Sequence, residues 1–215
     1  PRIVFINKMD RTGANPHRVV EQLREKLGAD AFLMQIQIGA EENFLGVVDL
    51  IEMVGITHAG DEGEEVVVGP IPEDLLEEAA EKRGKMLESL SMYSDEMMEL
   101  LLSEEEVPKE LIYKVTRAAV LGGATPVYMG TAFKNKGVQP MLDAVIGFLP
   151  SPLDRDISGR DPKNEDERIE LTPDPDADFV GMAFKIVDDP FGQLTFMRIY
   201  QGTIEKGGTY VNQRT

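Results

Sequence analysis

The chain has 215 residues, enough for one large domain or for one domain and part of a second, and its 42% hydrophobic and 28% charged residues are ordinary for a globular protein. There is no cysteine and no apolar run long enough for a membrane helix, which excludes disulfides, thiolate metal sites and a helical membrane span. A formal net charge of -17 repels a phosphate backbone, so direct nucleic-acid binding by the bulk of the chain is not expected, and a basic protein face is the better partner.

The first residues, Arg2-Ile3-Val4-Phe5-Ile6, read as a strand buried on both faces, as in a parallel sheet. Pro1 in place of Met, and a strand just begun at Tyr210-Val211-Asn212, make both ends read as interior text, so the chain is expected to be an excerpt. No basic-then-apolar leader opens it, which fits a cytoplasmic protein. After a polar loop, Asn15 suits a helix N-cap and Pro16 its first turn. Val19, Val20, Leu23 and Leu27 share one face, and Gly28 is a natural stop. Strand, loop and helix make one unit of an α/β sheet.

From residue 29 the pattern changes. Phe32, Met34, Ile36 and Ile38 alternate as one strand, and residues 46–57 and 64–69 follow as strands joined through the turn Gly60-Asp61-Glu62-Gly63. Leu76, Ala79, Ala80, Arg83, Leu87 and Leu90 recur at helical spacing; Ser94 caps a short helix, and Pro108 opens a third that ends at Gly122-Gly123. The α/β pattern resumes with the strand Pro126-Val127-Tyr128-Met129, a loop from Gly130 to Gly137, and a helix bearing Met141, Leu142, Val145, Ile146 and Leu149. Prolines 150, 152, 162, 173 and 175 amid charges read as a linker, and strands are expected at 179–187, 194–201 and 209–212.

Asn7-Lys8-Met9-Asp10 directly follows the first strand. An ionised Asp is acceptor-only, with two oxygens, and guanine offers two adjacent donors, N1–H and the N2 amino group. Adenine offers a lone pair at N1 instead. A buried polar group left without its partner rejects the wrong ligand by roughly 10⁴-fold or more. Asn7 can meet the six/seven edge of the base and tie the loop to its neighbours, and Lys8 can lay its alkyl stem over the ring. A solvated loop with an Asx turn is the bland alternative. Thr131-Ala132-Phe133-Lys134 is a second strand-end loop, where a backbone N–H can donate to guanine O6 and an aromatic can wall the ring. His17 and His58 read as surface residues.

These loops resemble the guanine-specificity motifs of GTPases. The stretches PRIVFINKMDRTGAN at the start, QIGAEENFLGVVDL at 37–50, GTAFKNKGVQPMLDAVIGFLPSP at 130–152 and AFKIVDDPFGQLTFMRIYQGTIEKGG at 183–208 resemble the elongation factor G branch of the translational GTPases. Small GTPases keep the two loops much closer than the gap of about 120 residues here, where that branch carries an inserted subdomain. The resemblance implies an α/β fold: the C-terminal part of a P-loop GTPase domain with an α+β insert, then the start of a β-barrel. It implies GTPase-domain segments at 1–28 and 125–150, the insert at 29–124, a linker at 151–178 and an incomplete β-barrel second domain at 179–215.

It also implies guanine binding, and so GTP or GDP, by Asn7, Lys8, Met9 and Asp10 and by Thr131, Ala132 and Phe133. The family usually has Ser where this chain has Thr131, and the backbone donor survives that change. No G-x-x-x-x-G-K-[ST] loop occurs. In the family that loop, the magnesium ligands and the switches precede the equivalent of Pro1, so the excerpt alone is expected to bind nucleotide weakly and not to hydrolyse it. The implied partners are the ribosome, through its stalk protein at the insert and its small subunit at the second domain. The insert is densely acidic from Glu73 to Glu106, which reads either as solvated helix faces or as a docking face for a basic partner. The strand at 2–6, with an exposed edge, invites self-association. The function implied is that of a ribosomal translocation factor. The alternatives are a ribosome-recycling or ribosome-protection paralogue, or a non-enzymatic interaction domain whose loops touch no nucleotide.

Overall fold

The computed structural model describes residues 1–60, 63–161, 164, 166–190 and 192–213. They form two compact units, Pro1–Leu149 and Pro150–Thr215.

The first unit opens with β1 (Val4–Ile6) and α1 (Pro16–Leu27). The Asn15 side chain accepts from Arg18 N, and Gly28 takes the left-handed conformation that closes the helix, its N–H reaching Arg24 and Leu23 carbonyls. Then come β2 (Ala31–Leu33), β3 (Gln35–Ile38), β4 (Gly46–Asp49), β5 (Val54–Ala59) and β6 (Glu65–Gly69). Three helices follow, α2 (Leu76–Ser91), α3 (Asp95–Leu102) and α4 (Lys109–Gly122), and then β7 (Thr125–Met129) and α5 (Val138–Phe148). Ser94 caps α3 through Met97 N, and Pro108 stands at the N-cap of α4.

Two sheets result. One is three-stranded and parallel in the order β1-β7-β2, with Val4 opposite Val127 and Ala31 opposite Thr125. The other is the antiparallel meander β3-β4-β5-β6. The single alternating strand expected from Phe32 to Ile38 is therefore two strands in two sheets. Met34 is where the chain passes between them: its N–H donates to Val127 O in the first sheet, and its carbonyl accepts from Leu50 N in the second. The parallel sheet thus takes in β2, and the chain leaves it at Met34.

One core joins the inner face of the meander to the helices, with Phe32, Ile36, Val48, Leu50, Met86, Leu90, Met97, Ile112, Val115 and Phe148 buried together. A second lies under the first strand-end loop and contains Ile6, Met9, Val20, Phe44, Val47, Ile56, Val127 and Met129. The Arg83 guanidinium closes the meander's corner by donating to the carbonyls of Leu50 and, at 2.6 Å, Ile51. The turn expected across Gly60 to Gly63 lies partly outside the described residues, at Asp61 and Glu62.

The second unit contains two antiparallel hairpins, β8 (Ile157–Arg160) with β9 (Arg168–Leu171), and β10 (Val180–Asp189) with β11 (Gly192–Gln201). The first of these replaces much of the expected linker. Ile157, Ile169 and Leu171 carry strand alternation, and Pro150, Pro152, Pro173 and Pro175 punctuate the strands from outside; Pro162 lies outside the described residues. Residues 209–212, expected as a strand, have no ladder partner among the described residues. No helix among the described residues is long and apolar enough to cross a membrane.

Candidate functional site

Because β1 and β7 run parallel, their C-terminal ends deliver two loops to the same edge of the sheet, where α/β proteins bind ligands. The loops are laced together by the backbone. Gly130 N donates to Ile6 O at 3.0 Å, and Met9 N donates to Gly130 O at 3.1 Å. Gly130 has no room for a side chain: a Cβ would collide with the Lys136 carbonyl and lie 2.8 Å from the Phe5 ring.

In the first loop Lys8 adopts a left-handed φ of 63°, a conformation uncommon for a residue with a long side chain. It turns the chain so that Met9 falls into the core, 1% exposed, while Asn7 and Lys8 stay at the surface. Met9 is therefore the anchor of the loop, and its side chain belongs to the core beneath. Asn7 Oδ1 accepts twice, from Lys8 N at 2.8 Å and from Ala132 N at 3.0 Å. That second bond spans 125 residues and ties the two loops side to side.

Asp10 faces the second loop. Its Oδ2 lies 3.0 Å from the Lys134 ammonium. The hydrogen bond from Lys134 holds the Asp10 carboxyl below the usual carboxylate range against partial burial, and the Thr131 hydroxyl adds to it. Asp10 is thus an ionised, acceptor-only group at neutral pH. The second loop is a closed six-residue hairpin. Thr131 N donates to Lys136 O at 2.9 Å, Lys136 N returns to Thr131 O at 3.1 Å, and Asn135 turns the chain at a φ of 51°. Thr131 is buried, whereas Phe133 is fully exposed at 100%.

The structure thus brings Asn7, Asp10, Thr131 and Ala132 together, with Lys8 and Phe133 exposed beside them and Met9 below. Sequence reasoning placed Lys134 in the second loop but gave it no role toward Asp10; the signal was a cation directly after that loop's aromatic residue. It also missed the insert's part. The insert grips the far side of the second loop: His58 Nε2 accepts from Gly137 N at 2.9 Å, Gly63 O accepts from Asn135 Nδ2 at 3.4 Å, and Phe44 O accepts from Lys136 Nζ at 3.2 Å. His58, expected at the surface, is half-buried and hydrogen-bonded at both ring nitrogens. His17 is the exposed residue expected, 3.8 Å from Glu78. Among the described residues no group of carboxylates or imidazoles is arranged to hold a metal.

The arrangement offers an acceptor-only group beside a backbone donor. An ionised carboxylate accepts two hydrogens in one plane, and a backbone donor at Ala132 lies in the adjoining loop, shared with Asn7.

Comparison with known proteins points the same way. The family profile of the elongation factor Tu GTP binding domain matches residues 1–151. Elongation factor G of Rhodopirellula baltica is 75% identical over 215 residues, which cover 100% of this chain and 31% of that protein. Elongation factor G 1 of Borreliella burgdorferi is 48% identical over 216 residues, with the same coverage, and the mitochondrial elongation factor G-1 of Arabidopsis thaliana is 45% identical, with 29% of its length covered. A crystal structure of a Thermus thermophilus protein superposes with a TM-score of 0.71 at 25% identity, over 94% of this chain and 27% of that one. The chain therefore spans less than a third of the length of the curated relatives it matches.

Proposed function

The chain belongs to the elongation factor Tu GTP-binding-domain family, and from that membership we propose that it is the guanine-reading part of an elongation factor G-type translational GTPase. In this reading Asp10 accepts from guanine N1–H and the N2 amino group. Asn7 meets the six/seven edge while bridging to the second loop, and the Lys8 stem covers the ring. The loop of Thr131, Ala132 and Phe133 supplies the O6 donor and a wall. GTP or GDP is held by its base end only, and its phosphates and magnesium are assigned to other parts of the longer protein. In that protein, GTP binding and hydrolysis would drive tRNA and mRNA through the ribosome in the cytoplasm. This chain alone is expected to bind nucleotide weakly and to leave GTP unhydrolysed.

The observation that carries the reading is the ionised Asp10 carboxylate beside the bridge from Asn7 to Ala132. Lys134 meets that carboxylate, so guanine must share or displace an ammonium there. The test is Asp10→Asn in the full-length protein, titrated with GDP, XDP and ADP. The amide presents a donor as well as an acceptor, so guanine should lose affinity and xanthine, which carries an oxygen at C2, should gain it. Unchanged selectivity removes Asp10 as the reader of the base and favours an interaction domain whose loops touch no nucleotide.

Two partner surfaces belong to the same reading. The acidic faces of α2 and α3, with Glu77, Glu78, Asp95 and Glu96 in their first turns, suit a basic partner, proposed to be the ribosomal stalk. Residues 179–215 are proposed to begin the domain that meets the small subunit. β1 lies at an edge of its sheet, and edge strands pair readily. We expect this chain to form dimers at high concentration; a monomeric mass by light scattering would count against that.

A further inference from the structure

We propose that His58, a residue of the inserted meander, is a positioning residue for the second guanine loop: its unprotonated Nε2 holds Gly137, and protonation in acid releases the loop and weakens base binding. The inference rests on the guanine reading of the two loops.

The tautomer follows from the donors. Gly137 N–H can only donate, so the His58 Nε2 it meets at 2.9 Å must carry a lone pair. The proton then sits on Nδ1, which is 3.3 Å from the Gly63 carbonyl and donates to it. The same carbonyl accepts from Asn135 Nδ2 at 3.4 Å, and Asn135 Oδ1 accepts from Gln139 Nε2 at 3.0 Å. The imidazole thus joins the end of β5 and Gly63 to Gly137 at the N-cap of α5, and Asn135 extends the network from Gly63 to Gln139 in the first turn of α5. The fit allows little slack. A Cβ at Gly63 would collide with the Lys134 carbonyl, and one at Gly137 with the Met129 carbonyl. Lys134 is the residue whose ammonium meets Asp10, so the insert's turn bears on the backbone of the group facing the base reader.

Protonating Nε2 would set a donor against the Gly137 donor. Burial is the main cause that holds His58 below its ordinary value of 6.5, and the Lys136 ammonium adds to it against the Gly63 carbonyl. Lys136 is the charged group that faces the ring from the loop. From β6 the cross-strand neighbour is Val66; Glu65 pairs with Ala59, and the Glu64 carboxylate folds over Gly60. A lowered imidazole value means that the bond's contribution is complete above 6.5 and is lost as pH falls through the lowered value. The Lys134 hydrogen bond holds Asp10 below its ordinary value of 3.8, so that carboxylate stays charged down to pH 5.

The experiment is a GDP titration of the full-length protein from pH 7.5 down to 5, with ADP as the reference ligand. One neutral hydrogen bond corresponds to about a 2- to 10-fold change in affinity. The parent should lose GDP affinity by about that factor as the medium turns acid. His58→Gln keeps an acceptor within reach of Gly137 without titrating, so it should bind as the parent does at pH 7.5 and stay flat. His58→Leu removes the acceptor and should be weaker throughout, and equally flat. If His58→Gln falls with acid as the parent does, or is as weak as His58→Leu at pH 7.5, the positioning role is wrong. An Asp10→Asn control keeps the two proposals apart. If that variant retains the preference for GDP over ADP, the guanine reading fails. The Gly137 amide resonance of this chain then tests the joint alone, since it should titrate with pH in the parent and not in His58→Gln.

Discussion

The two strand-end loops of the first unit are held by different means. The first is held from within. Met9 plugs the core beneath it, Lys8 takes a left-handed turn to let it do so, and a backbone bond from Met9 to Gly130 fixes the height of the loop. The second has no such plug. Its aromatic residue, Phe133, is fully exposed, and the loop keeps its shape through its own Thr131–Lys136 pairing and through neighbours on both sides. Asn7 holds one side, and His58, Gly63 and Phe44 of the insert hold the other. A loop that carries its own anchor is set by local chemistry. A loop clamped by distant segments depends on how those segments are held.

Emptying the first anchor should break this contrast most severely. Met9→Ala deletes a side chain that is 1% exposed among Ile6, Val20, Phe44, Val127 and Met129. A buried Met-to-Ala change costs about 2–5 kcal/mol, whereas Met9→Leu, which conserves volume, should cost below about 1.5 kcal/mol. Urea denaturation read on amide resonances of residues 1–149 measures both. Because Met9 N also fixes Gly130, the alanine variant should loosen the second loop as well, seen as faster exchange at Thr131 N–H. A loss under about 1 kcal/mol would mean that the loop is held chiefly by its backbone bonds and not by the plug.

The parts of this architecture that were legible in the sequence are those whose cause is local. Asn15, Pro16 and Gly28 announce α1 because capping needs only neighbouring residues, and Ser94 and Pro108 do the same for α3 and α4. The strand before Asn7 was legible too, but not its burial: β1 is an edge strand with Ile6 buried and Val4 and Phe5 only half-buried, not a strand covered on both faces. Partners were not. The alternation from Phe32 to Ile38 is the same in both sheets, so nothing in it shows that Met34 changes sheets. The β8–β9 hairpin was hidden because its prolines mark the flanks of strands as readily as they mark a linker. The bonds that assemble the site join Asn7 to Ala132 across 125 residues and His58 to Gly137 across 79, and no periodicity encodes such a pairing. A half-buried histidine in a strand of mixed exposure looks, in sequence, like any other surface histidine.

Asn7 sharpens the contrast with a smaller effect, because it belongs to both loops. Its Oδ1 serves Lys8 N and Ala132 N, and the residue is exposed, so water can replace what an Asn7→Ala change removes. The stability cost should therefore stay near about 1 kcal/mol, the low end for lost hydrogen bonds and well below the Met9→Ala loss. The consequence should be local: faster exchange at Ala132 N–H with little change at Met9 N–H, since the core plug is untouched. Asn7→Asp separates bridging from base reading. A carboxylate still accepts from both backbone donors, so exchange at Ala132 should remain slow. It has lost the amide donor for the six/seven edge of guanine and adds a second negative charge near Asp10, so GDP affinity of the full-length protein should fall while the bridge persists. If Asn7→Asp instead frees Ala132 as Asn7→Ala does, repulsion from Asp10 governs the loop, and the bridge depends on the neutrality of Asn7 as much as on its acceptor.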